Sequence, residues 1–492
     1  MTPAHVSRER RWRVAALVVL VIAGVGIAVG AHGTSAPVGA APSPAALVGA
    51  PDAESTAWYC TGQATAGGLS PGFLVLTNTT ARPVAADISV VSDSGATAHT
   101  AAAVPADGVV TPAIPALASG SWESETVVTS GGGVAVTQTV SGALGWSQAP
   151  CQSTTSDRWY FAGGSTAAAN SLYVSLLNPT STPVVVDLSF VTPAGTVHPI
   201  NYQGIVLPAG QVAVENVTSE VQQIPTMSTV VATRTGRVVA AEVQQLVGAG
   251  GTVGGLSLVP GVATPQSHWL IPQAQEVPDG SSEINVFNPG AATETVTVRF
   301  RLPSGPLAPL TQKILPGTNW PLLTSGQTRI PANETYTTAL DATGGSGVVV
   351  SRTVSLPATA TPPPLAGVVV AVDGLSAGTP THQWVVPPPG SAGTPAVSGA
   401  APASLALFNT STGSERYTAA SISAAGSKVI ATGTLAPRTA MVVSGAPLAA
   451  AGLDPIVVRA SGTMAVSEDA APTAGLGIVS MPGIPLAAAI GA

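Results

Sequence analysis

The chain has 492 residues, of which 8% are charged and 4% aromatic, and its 54 glycines and 44 prolines disfavour long helices. A net charge of -7 and a pI near 5.3, with no Lys/Arg run beyond the N-terminus, exclude the basic field that a nucleic-acid partner requires. Val and Thr recur in short runs between turn formers, which predicts an all-β protein.

Arg8, Arg10, Arg11 and Arg13 precede an uncharged apolar run from Val14 to Ala31. As a helix this run spans about 27 Å against a hydrocarbon core of about 30 Å, so 14–31 reads as one transmembrane signal anchor. The next basic residue is Arg82; the positive-inside bias therefore leaves 1–13 in the cytoplasm and everything after the anchor outside. Small residues at 28–30 and 38–40 offer the alternative of secretion after signal-peptide cleavage. The Pro/Ala-rich stretch 32–57 reads as a stalk.

Four repeats follow, at 58–156, 157–265, 266–380 and 381–492, each opened by a Trp-led strand: Trp58, Trp159, Trp269 and Trp384. A landmark Asn and a later Gly keep one spacing of 17 residues, in Asn78/Gly95, Asn178/Gly195, Asn288/Gly305 and Asn409/Gly426. The positions two and four before each Asn are apolar, as in Leu176 and Val174. After Asn178, apolar Val186, Leu188 and Phe190 alternate with Asp187 and Ser189, the period of a half-buried strand. A turn then leads to a further strand at Leu207-Pro208, Leu315-Pro316 and Leu435-Ala436-Pro437. Leu117 reads as its counterpart in the first repeat, after an extra segment from His99 to Pro115. Paired strands ending near Gln138, Glu242, Arg352 and Glu468 close the units.

Six or seven short strands in about 100 residues predict tandem Ig-like β-sandwiches and are too many for one propeller blade. The uncharged C-terminus reads as the last repeat's closing strand, because Gly477–Gly483 parallels Gly255–Gly261 and prolines break any helix there.

Cys60 and Cys151 bracket the first repeat, and an exported compartment lets them pair as a disulfide. Closing that loop contributes roughly 4–5 kcal/mol on the loop-entropy model. Gly68-Leu69-Ser70-Pro71-Gly72 has the spelling of a nucleophile elbow, but Pro71 has no N–H to offer an oxyanion. The six histidines show no metal-ligand spacing and the carboxylates are scattered, so no catalytic residue, metal or cofactor is expected. The recurring tryptophans are assigned to cores. Trp122 and Trp320, five residues after Leu117 and Leu315, lean the same way, and Trp146 is out of phase beside Cys151. These three are the candidate ligand-surface aromatics if the chain binds glycan.

The pieces WYFAGG, LYVSLLNP, VVVDLSFVTPAG and VVAAE of the second repeat resemble an uncharacterised actinobacterial family of membrane-anchored exported proteins. Its repeats read approximately Trp-Tyr-Phe-Ala-Glu-Gly, Leu-Asn-Pro and Val-Ala-Glu-Arg. Gly163 stands where that pattern has Glu, and Val243 where it has Arg. The resemblance implies a cell-envelope location and transfers no catalytic residue. The expected function is a non-enzymatic extracytoplasmic scaffold, with the membrane and envelope proteins as partners; the alternative is a cell-wall glycan-binding protein.

Overall fold

The computed structural model describes residues 46–64, 67–117, 119–167, 169–247, 254–276, 280–356, 367–371, 381–390, 401–471 and 479–488. The segment 14–31, read as a membrane anchor, lies outside them. Among the described residues no helix is long and apolar enough to cross a membrane.

Among the described residues the strands form eight antiparallel sheets of four or five strands, two from each repeat, and the chain does not complete one sheet before starting the next. In the second repeat, Arg158–Phe161, Val184–Thr192, Gly195–Val197, Ile205–Leu207 and Ser228–Thr235 make one sheet. Ser171–Leu177, Val212–Asn216, Val239–Leu246 and Gly255–Pro260 make the other. The two pack face to face over Trp159, Phe161, Leu176, Val186, Leu188 and Phe190.

Each sheet also covers its other face, with a sheet from the neighbouring repeat. Val91 of the first repeat packs on Leu177, Val212 and Val239 of the second. Tyr160, Ala162 and Val191 meet Phe287 and Val349 of the third, and Leu270 of the third meets Phe408 and Ala465 of the fourth. Val385, Ile484 and Leu486 of the fourth repeat then join the core of the first. Four strands, Gly145–Pro150, Gly255–Pro260, Gly367–Ala371 and Val479–Pro482, touch in succession and close a central circuit.

This is an eight-bladed β-propeller. Blades 1 and 2 come from the first repeat, 3 and 4 from the second, 5 and 6 from the third, 7 and 8 from the fourth, with the strand Gly145–Pro150 in blade 1 and Trp159 in blade 4. The expectation of tandem Ig-like sandwiches is thereby corrected. Strand alternation reports one buried face, and it is silent on a second face buried by the next repeat. The strand count that argued against a propeller is divided between two interleaved blades.

The ring is fastened where its ends meet. The Val48 N–H donates to the Pro485 carbonyl at 2.9 Å, and the Ala487 N–H to the Val48 carbonyl at 3.0 Å. Val48, within the stretch expected to be a stalk, is fully buried beside Ile484 and Leu486. Cys60 and Cys151 are joined by a disulfide in the same core.

The landmark asparagines hold each pair of blades together. All four are fully buried. Each Nδ2 donates across to the partner blade, to the carbonyls of Val104, Leu207, Ile314 and Leu435 at 3.3, 3.1, 2.9 and 3.0 Å. Each also donates to the carbonyl four residues on, at 2.7 or 2.8 Å. Each Oδ1 accepts the N–H two residues on, forming a turn of the Asx type. These bonds also place the first repeat's counterpart of Leu207 at Val104 rather than at Leu117, so the extra segment follows that strand instead of preceding it.

Removing such a side chain strands buried carbonyls. Asn178→Ala is expected to cost about 2–4 kcal/mol, read as a lower urea midpoint at unchanged slope; an unchanged midpoint would show that the amide holds nothing.

Candidate functional site

Equivalent positions in the four repeats show where one seam departs from the others. Thirteen residues after the landmark Asn stand Val91, Val191, Arg301 and Ile422. Val91 and Val191 are buried where their blades meet the next repeat. In blade 6 the same position is a half-buried arginine. Two residues earlier, Ser89, Ser189 and Ala420 correspond to Arg299. Strand alternation puts both arginines on the face of blade 6 that looks toward blade 7.

Blade 7 answers with a third. Asp107, Gly210, Gly317 and Arg438 occupy one turn position, and all have positive φ, at 44°, 67°, 63° and 56°. Two sister repeats use Gly there, the residue that adopts this conformation without a Cβ penalty. Arg438 adopts it at a cost on the order of 1 kcal/mol.

Between the two blades lies a groove of about 580 Å³ whose walls include Arg299, Arg301 and Arg438, with Leu270, Ala339 and Phe408 along it. Its one carboxylate, Asp341, is engaged by His268 Nδ1 at 2.7 Å and by the Arg299 guanidinium. The hydroxyls of Thr337 and Thr410 donate to the Pro272 and Thr463 carbonyls, each at 2.9 Å. Among the described residues no side-chain hydrogen bond or ion pair joins the Arg301 or Arg438 guanidinium to a partner. The groove therefore presents guanidinium donors, beside a histidine held through Nδ1 by Asp341.

The proposed ligand-surface aromatics lie elsewhere. Trp122 is buried against Tyr173, with ring centroids 5.0 Å apart. Trp146 is buried against Ala470, Val479 and Met481, across the centre of the ring and not against the disulfide. Trp320 is half-buried against the core of the third repeat. Trp122 and Trp146 are buried because the second face of each blade is covered by a neighbour, whereas Trp320 keeps part of its surface exposed. Trp122 and Trp320 are also not equivalents: the first is on a strand paired with 56–64, the second on the outer strand of blade 5. Ser70 sits on a two-residue strand paired with Ser141, without the strand-to-helix elbow its motif would need.

A second polar feature runs through the seams inside the repeats. Gln138, Glu242, Arg352 and Glu468 share one strand position and are all buried. Desolvation pushes the Glu242 carboxyl up to about 8, with the nearby Thr229 hydroxyl opposing the rise. Burial, with the Asp469 charge beside it, also pushes Glu468 to about 8. Glu125, which accepts a hydrogen bond from Gln63 Nε2, is raised well above its ordinary range, again chiefly by burial. The Glu242 and Glu468 carboxyls are therefore mostly protonated in the folded chain at neutral pH and ionise freely when it unfolds.

The folded state then binds more protons than the unfolded one between the ordinary 4.5 and about 8. Stability is present in full below that window and is lost as pH rises through it. Melting temperature is expected to fall from pH 5 to pH 8, by the equivalent of a few kcal/mol. Glu242→Gln with Glu468→Gln should flatten the profile; an unaltered slope in that double variant would contradict the assignment.

The family model described as a family of unknown function, DUF5719, matches residues 129–446. The chain belongs to this family. The DUF5719 match takes in all of blades 3 to 6 and reaches Arg438, so both walls of the groove fall within it. No curated protein matches the chain. One similar solved structure is a tetra-tandem repeat in the extending region of a large adhesion protein. It is 12% identical, with 83% of this chain and 92% of that chain covered and a TM-score of 0.11. Another is the Streptomyces avermitilis alpha-L-rhamnosidase complexed with L-rhamnose. It is 10% identical, with 87% and 57% covered and a TM-score of 0.10. Likenesses with such TM-scores carry no inference about fold or role.

Proposed function

We propose that this DUF5719 protein is a non-enzymatic binding scaffold held outside the cytoplasmic membrane, with its ligand site in the groove between blades 6 and 7. The groove carries the reading. It is the place where the repeat pattern gives up an apolar packing position, and it replaces that packing with donors suited to holding a partner. Its wall chemistry, three guanidiniums around one engaged carboxylate, is that of a site for holding an anionic group.

The apolar run 14–31 behind four arginines supports membrane anchoring with the propeller exported. The Cys60–Cys151 disulfide supports an oxidising compartment. Envelope proteins or cell-wall polymers are the partners that such a location supplies.

Two measurements on the full chain test this. Protease added to intact cells should digest a C-terminal tag. Detergent-solubilised wild-type protein should also cosediment with isolated cell envelopes, and Arg301→Val/Arg438→Gly should remain in the supernatant. A protected tag would overturn the topology, and equal sedimentation of both proteins would overturn the groove as the binding site.

A further inference from the structure

We infer that the groove between blades 6 and 7 recognises an oxyanion, a carboxylate or phosphate group on its ligand, held between Arg301 of one wall and Arg438 of the other. The inference rests on the reading of this groove as a binding site and names the chemistry it selects.

Position, charge and backbone support it separately. The whole chain has only 17 Lys and Arg residues, several of them before residue 14, and its net charge is -7. Three arginines converging on one groove with a single carboxylate make a locally positive cleft in an acidic body. Arg299 is held by Asp341, and the other two guanidiniums are left uncommitted. An anion entering the cleft would supply the counter-charge that these two guanidiniums lack within the chain. Planar guanidinium forks match carboxylate and phosphate oxygens in paired hydrogen bonds.

Neither arginine is needed by the fold at its position. The sister repeats put an apolar residue, Val91, Val191 or Ile422, where Arg301 stands, and two of them put glycine in the left-handed turn where Arg438 stands, with Asp107 in the third. Arg301 forgoes the burial that Val191 achieves at the equivalent seam, and Arg438 adopts a backbone conformation that costs an L side chain energy. Asp341 shows the same recognition within the chain, since its carboxylate already lies against a guanidinium of this groove.

The sister repeats also supply variants expected to fold. Arg301→Val restores the apolar seam, and Arg438→Gly restores the residue suited to the turn, so the double variant should melt at or above the wild-type temperature. The test is titration calorimetry of the full chain in detergent at low salt. The probes are inorganic phosphate, citrate, a galacturonic acid tetramer and a neutral galactose tetramer.

Binding of at least one anionic probe is expected, weakened by added salt and reduced at least tenfold in the double variant, with the neutral tetramer silent. A galacturonate tetramer that binds tighter than phosphate and citrate would place the ligand on an acidic polymer, and the reverse order on a small free anion; either order supports oxyanion recognition. Neutral tetramer binding that the variant loses would overturn the oxyanion and keep the groove as a binding site. Anion binding that the variant retains would overturn both. Failure of every anionic probe to bind the wild-type protein would overturn the inference by itself.

Discussion

The buried asparagine at the end of one strand in each repeat is the interaction on which the architecture turns. Its amide donates to a carbonyl of the partner blade and to the turn that carries the chain there, while its oxygen accepts from that turn. A backbone crossing between two packed sheets exposes polar groups where water is excluded, and these must be satisfied in place. The same bonds recur at Asn78, Asn178, Asn288 and Asn409, so four crossings are made in one way. The constant distance to the following glycine fits this geometry: Gly95, Gly195, Gly305 and Gly426 all have positive φ at the next tight turn.

Once the crossing is fixed, each repeat becomes two blades with an apolar core between them and an incompletely covered face on either side. Val91, Val191 and Leu270 belong to those outer faces, and they are buried by the next repeat in line. The fourth repeat would leave its outer face open if the first did not cover it; Val385 and Ile484 packing into the first core complete the cycle. Closure also explains why Val48 pairs with the C-terminal strand, since a ring must be fastened at its ends.

Much of this was legible in the sequence, and the unreadable part has a definite physical origin. The repeats, their Trp-led strands, the inward-facing Val186, Leu188 and Phe190, and the turn-forming asparagines follow from local chemistry and period-two alternation. The long-range half of each asparagine's bonding does not, because Leu207 is distant in the chain and carries no mark of receiving a donor. The blade arrangement also escaped, because alternation cannot say whether a strand has one neighbouring sheet or two. The groove left a signal that only the repeat register reveals. Arg299, Arg301 and Arg438 are ordinary surface residues one by one, and become informative when set beside Val191 and Gly210. Trp122 and Trp146 carry no sequence mark that separates them from surface aromatics, because the seams they fill are created by the ring geometry.

The groove inherits its rigidity from the closed ring, since its width is fixed only if blades 6 and 7 are held from both sides. Differential scanning calorimetry of the full chain addresses this most directly. A single cooperative transition, with calorimetric and van't Hoff enthalpies in agreement, is the result expected of one interlocked body. Separate transitions for individual repeats would mean that they fold as independent modules, and would contradict the ring.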